Sequence, residues 1–115
     1  MKNILYYHPV GMSNPGDDIT FYGSLEIMKL AIGDHNVYNF CTEDLNSIGE
    51  NDIKLFEKCD VLVISGTPWV WNGCNQTPKY NVLKSVVGFF HNKKKIALGL
   101  GSGFPLDYNY IESFD

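Results

Sequence analysis

Apolar residues along the chain alternate between two spacings. "NILYY" (Asn3 to Tyr7) is a compact run of β-forming residues that His8-Pro9 ends. A helical pattern begins near Asp17, with Phe21, Leu25, Met28 and Ile32 on one stripe and Gly33-Asp34 as its stop. "NVYNF" (Asn36 to Phe40) predicts a second strand. A polar stretch from Thr42 to Asn51 leads to a short helix, "DIKLFEKC", with Ile53 and Phe56 facing inward. "DVLVIS" (Asp60 to Ser65) runs without polar alternation, as a strand covered on both faces does. After the loop "GTPWVWNGCNQTP", Pro78 suits the first helical position with Thr77 as cap. Val82, Leu83, Val86, Val87, Phe89 and Phe90 then form a wide apolar face, and "KIALGLG" (Lys95 to Gly101) predicts a fourth buried strand.

Strands alternating with helices imply a parallel sheet. The predicted fold class is α/β: one domain over residues 1–115, a Rossmann-like open parallel sheet of about four strands. The expected order is 2-1-3-4, with helices on both faces and right-handed crossovers.

Composition narrows the function. Hydrophobic content of 44% and charged content of 19% fit a globular core. A net charge of -4 argues against nucleic acid as a partner, because binding it requires a basic face. The basic cluster Lys93-Lys94-Lys95 falls at a predicted helix end, where cations suit the helix dipole. No window reaches the ~20 apolar residues that span a bilayer, and the N-terminus lacks a signal pattern, so the expected location is cytoplasmic. Cys41, Cys59 and Cys74 are widely spaced, with no C-x-x-C pair, so neither a disulfide framework nor a metal site is expected. Cys41 and Cys59 read as small core residues.

Ligands of open parallel sheets bind outside the carboxyl ends of the strands, where the chain reverses direction. Three loops share that edge: His8 to Asp18, Gly66 to Pro78, and Gly101 to Leu106. The first reads "GMSNPGDD" where a dinucleotide site needs G-x-G-x-x-G. Pro15 removes an N–H donor, and Asp17-Asp18 put negative charge where a phosphate would lie. "GLGSG" lacks the final glycine, since Phe104 stands there, and no phosphate-loop lysine pattern occurs. No cofactor is expected. Ionised carboxylates only accept hydrogen bonds and sugar hydroxyls donate them, so the second aspartate suits a hydroxyl-rich ligand. Helix capping alone is the competing account of this pair. Trp69 and Trp71, two apart in a loop, would share a face if extended and stack on a ring, unless they cover the sheet edge. His8 at the end of the first strand is a candidate acid or base, or a structural residue beside Pro9.

Three stretches together resemble the polysaccharide pyruvyl transferase family. "NPGDDITFYGSLEIM" is similar to its N-x-G-D-(D/E) opening, "DVLVISGTPWVW" to its strand and G-G loop, and "IALGLGSGFP" to its later strand and G-hydrophobic-G turn. Thr67 stands where that family has a second glycine, and the Trp-Val-Trp run is not part of its pattern. The resemblance implies the N-terminal, acceptor-side lobe of a GT-B-like, two-lobed transferase. Such enzymes move a pyruvyl group from phosphoenolpyruvate onto two sugar hydroxyls in polysaccharide biosynthesis. Asn14, Gly16, Asp17 and Asp18 match the family's opening motif, and with the reading of the residues above, the candidate catalytic residues are His8 and Asp17. Substrate binding would fall to Asn14, Gly16, Asp18, Gly66, Thr67, Trp69, Trp71, Gly101 and Ser102. The expected partners are a sugar or other hydroxyl-rich molecule and either a second-lobe chain or a second copy. The donor is anionic and calls for Arg or Lys, of which this edge offers Lys79. Whether the lobe catalyses alone is left open. The alternatives are a non-catalytic sugar- or nucleoside-binding module and a dimeric interaction protein docking through the Trp loop and an uncovered sheet edge.

Overall fold

A computed structural model describes residues 1–8, 15–42, 45–65 and 78–98. Strands β1 (Asn3–Tyr7), β2 (Asn36–Phe40), β3 (Val61–Ser65) and β4 (Lys94–Leu98) alternate with helices α1 (Pro15–Ile32), α2 (Glu50–Lys58) and α3 (Pro78–Phe89). A short 3-10 turn at Leu45–Ser47 precedes α2. All neighbouring strands pair in parallel, in the order β2-β1-β3-β4. This is the predicted α/β, Rossmann-like open sheet.

The two strands beside β1 are reached in opposite directions, so crossovers of one hand place their helices on opposite faces. The buried residues separate accordingly. Leu5, Tyr7, Leu62 and Ile64 pack with Phe56 of α2 and Val82, Leu83, Val86 and Phe90 of α3. Ile4, Tyr6, Val61 and Val63 pack with Phe21 and Met28 of α1. Both central strands are thus covered on two sides, which their unbroken apolar runs require. Phe56 is the aromatic hub of the first face, with Phe40, Phe89 and Phe90 ring centroids at 5.1, 5.2 and 6.2 Å.

Several boundaries and faces differ from the sequence expectation. Helix α1 starts at Pro15 rather than near Asp17, because proline's fixed φ and missing N–H suit the first helical position. It ends as expected: Gly33 takes φ 80° and its N–H donates to Lys29 O at 2.8 Å. Ile32 and Phe89, expected inside, are 46% and 40% exposed, each at the last position of its helix. Cys59 is buried, and Cys41 is half-buried against the same core. The largest departure is β4, which is not a buried strand. Lys94 and Ala97 are exposed, while Ile96 and Leu98 are half-buried. It is an edge strand among the described residues, and α1 is the one described helix on its side of the sheet.

The lysine cluster has a structural role. Lys93 Nζ donates to Phe56 O, Glu57 O and Cys59 O at 3.1, 2.8 and 2.8 Å, closing the carboxyl end of α2. Lys95, buried on the α3 side, donates to Phe90 O at 3.2 Å and Lys93 O at 3.3 Å just beyond α3. Phe56 O and Glu57 O are among the last carbonyls of α2, which the helix itself leaves without partners, and Lys95 adds a second donor to Phe90 O, which also accepts from Lys93 N–H. Replacing Lys93 with Met should lower unfolding stability by about 2 kcal/mol in urea titration, whereas exposed Lys94→Met should change it by less than about 0.5 kcal/mol.

Candidate functional site at the carboxyl edge of the sheet

The strand order reverses at β1, and the helices that follow β1 and β3, α1 and α3, lie on opposite faces, so the chain parts beyond the carboxyl ends of these two strands. In this architecture that divergence is where a ligand finds room. His8 stands at the mouth, directly after β1. Its residue is fully buried, and its ring centroid lies 5.9 Å from that of Phe21 on the second turn of α1. Its N–H donates to Phe40 O at 3.3 Å, extending the β1–β2 ladder by one rung.

Asn39 holds this end of β1. Its Nδ2 donates to Tyr6 O at 3.1 Å and to His8 O at 2.9 Å, fixing the backbone on both sides of Tyr7. Sequence reading passed over it. The available signal was an asparagine inside a short strand, where its type is depleted unless the side chain has an appointed partner.

Pro15, Gly16, Asp17 and Asp18 form the first turn of α1. Both aspartates therefore lie within the helix rather than before it, and neither takes the N-cap position that the capping account needs. At the helix start, ionised carboxylates meet the positive end of the dipole and occupy the pole that otherwise attracts anions. The side chains of Gly16, Asp17 and Asp18 lie outside the described residues, as do Asn14, Gly66, Thr67, Trp69, Trp71, Gly101 and Ser102. The structure thus brings His8 against Phe21 on the second turn of α1, at the edge where β1 and β3 end side by side.

Two described hollows face the opposite edge. A groove of about 250 Å³ lies between the end of α1 and the start of β2, lined by Glu26, Lys29, Asp34 and His35 among others. A second, of about 380 Å³, opens beside Met28, Val61 and Ile96 near Lys2, Asp60 and Lys94. That edge is tied by Asn3, whose N–H donates to Asp60 Oδ2 at 2.9 Å and whose Oδ1 accepts from Asn36 Nδ2 at 2.8 Å. No three His, Cys, Asp or Glu side chains converge on a metal position among the described residues. No described helix is long and apolar enough to cross a membrane. Comparison with protein-family models, curated proteins and solved structures gives no match.

Two groups have altered acidity. Burial pushes the Cys59 thiol up, against the opposing pull of Lys93 and Lys58, so the thiol is protonated at neutral pH. Burial also pushes the Tyr6 phenol up to about 12. Its hydroxyl lies 2.7 Å from His35 Nε2, and His35 Nδ1 lies 2.9 Å from Gly33 O. A carbonyl only accepts, so Nδ1 carries the proton and Nε2 accepts from the phenol. Below pH 10 the phenol is neutral whether folded or unfolded. Between about pH 10 and 12 the unfolded chain gains the easier ionisation, and stability contributed by the neutral phenol is lost. Ultraviolet titration of the folded chain should therefore show one tyrosine ionising near pH 12, and Tyr6→Phe should remove that late step.

Proposed function

We propose that the chain binds a neutral, hydroxyl-rich small molecule, a sugar, at the carboxyl edge of β1 and β3. In the fuller reading it is the acceptor-side lobe of a pyruvyl-transfer enzyme of the polysaccharide pyruvyl transferase type. One observation carries the proposal. The first turn of α1, at the reversal point of the sheet, is Pro-Gly-Asp-Asp, so carboxylates stand where a nucleotide-binding fold presents bare N–H groups.

The chemistry follows from that charge. Asp18 accepts a hydrogen bond from one sugar hydroxyl and orients it, while Asp17 takes the proton of the hydroxyl whose oxygen adds to the enol carbon of phosphoenolpyruvate. The methylene carbon gains a proton, and the other hydroxyl then displaces inorganic phosphate from the same carbon to close the ketal. Trp69 and Trp71 offer flat faces for the sugar ring. His8 is buried with its ring 5.9 Å from that of Phe21, and on this reading it positions the site ahead of any proton transfer. The phosphoenolpyruvate site, which needs several cations, belongs to a second lobe. A binding module without chemistry shares every step but the attack.

Tryptophan fluorescence tests the reading, since both tryptophans fall in the sequence between β3 and α3. Titration with a panel of neutral hexoses and oligosaccharides should give saturable quenching, and sugar phosphates should bind more weakly than their parent sugars. Asp17→Asn and Asp18→Asn should each raise Kd by about tenfold, the cost of losing a charge-assisted hydrogen bond. Tighter binding of the phosphorylated forms would overturn the proposal.

A further inference from the structure

Strand β4 alternates between two unlike faces. Lys95 lies on the α3 side and is buried there. Lys94, Ile96 and Leu98 fall on the other face, where α1 packs with Ile4, Tyr6, Val61 and Val63 of the two central strands. Ile96 and Leu98 join that cluster only half-buried. Beside them, at the amino edge of the sheet, is the hollow of about 380 Å³. Its floor is apolar, made of buried Ile4, Met28 and Val61 and half-buried Ile96. Ile32, 46% exposed, stands at its margin, and exposed Lys2, Asp60 and Lys94 rim it.

We propose that the segment following β4, residues 99–115, turns back over the α1 side of that strand and fills this hollow. Reach is the first argument. β4 ends at Leu98 on the carboxyl edge, and the hollow opens at the other end of the strand, about 17 Å away. Residues 99–115 cover that distance even at the ~1.5 Å rise per residue of a helix, with several left over for the turn. Of the other undescribed stretches, 43–44 is too short, and 9–14 and 66–77 each join a strand end to a helix start, both at the carboxyl edge.

Charge selects the same occupant. The rim carries two lysines against one aspartate, and Asp60 already accepts from Asn3 N–H at 2.9 Å. Residues 99–115 include Asp107, Glu112 and Asp115 and no Lys, Arg or His. A second copy laid face to face would instead set one positive rim against another. The segment also supplies Phe104, Leu106, Tyr110, Ile111 and Phe114, side chains that gain by leaving water for an apolar floor. Its cover encloses Ile32, which the sequence stripe of α1 sets inward. The turn falls on the glycine-rich stretch 99–103, which keeps Gly101 and Ser102 at the carboxyl edge.

Carbodiimide joining of lysine amines directly to carboxylates, mapped by mass spectrometry on the full, unsubstituted chain, tests the proposal. Lys94 or Lys2 should be joined to Asp107, Glu112 or Asp115, whereas Lys84, exposed on α3 across the sheet, should not. In a mixture of isotope-labelled and unlabelled chains, the joined pairs should lie within one copy. Hydrogen exchange gives a second reading: amides within 104–115 should exchange at least about tenfold more slowly than in a free peptide of the same residues. Ile96→Asp should abolish that protection while the amides of α3 keep theirs. Ala97→Asp, at an exposed residue on the opposite face of β4, should preserve it. No joining to Lys94 or Lys2, joining only between copies, free exchange throughout 104–115, or protection that fails to distinguish Ile96→Asp from Ala97→Asp would overturn the proposal.

Discussion

Strand β1 sets the position of everything else. It pairs with β2 on one side and β3 on the other, and Ile4, Leu5, Tyr6 and Tyr7 are all fully buried. A strand enclosed on four sides has no freedom of register, because a slip by one residue would exchange its two apolar faces and open every buried amide. Because the chain leaves β1 to one side and later returns to the other, the two neighbouring crossovers must depart on opposite faces. The split at the carboxyl edge is a consequence of that enclosure. So is the position of His8, which continues the β1 ladder by one bond to Phe40 and is clamped by Asn39.

The sheet order and three of the strands were legible because their signals are local and dense. "NILYY" and "NVYNF" match β1 and β2 residue for residue, and the β-branched run of β3 announces a strand covered twice. What escaped were features that depend on neighbours absent from the pattern. β4 has an apolar run much like that of β3, yet it lies at an edge among the described residues, and periodicity carries no information about who stands beside a strand. The inward stripe of α1 was visible through Phe21, Leu25 and Met28, whereas its outer apolar side was hidden by attention to a single face. The role of Lys93 depends on three carbonyls more than thirty residues away, a distance that no local motif spans.

At the candidate site the sequence carried the chemistry and the fold supplied the place. Two adjacent aspartates mean little without a location, since any helix start favours carboxylates on its own account. Their inclusion in the first turn of α1, the helix that follows β1 at the reversal of strand order, gives the proposed reading its basis for selectivity. A helix start that ordinarily favours anions is already supplied with negative charge by its own chain.

The central claim is that this helix start admits alcohols and refuses phosphoryl groups. It is tested most directly by the backbone amide resonances of Gly16, Asp17 and Asp18 during separate additions of inorganic phosphate and of neutral hexoses. The account predicts saturable shifts at these amides with a hexose from the panel and none with phosphate. Saturation by phosphate, with the hexoses silent, would contradict it.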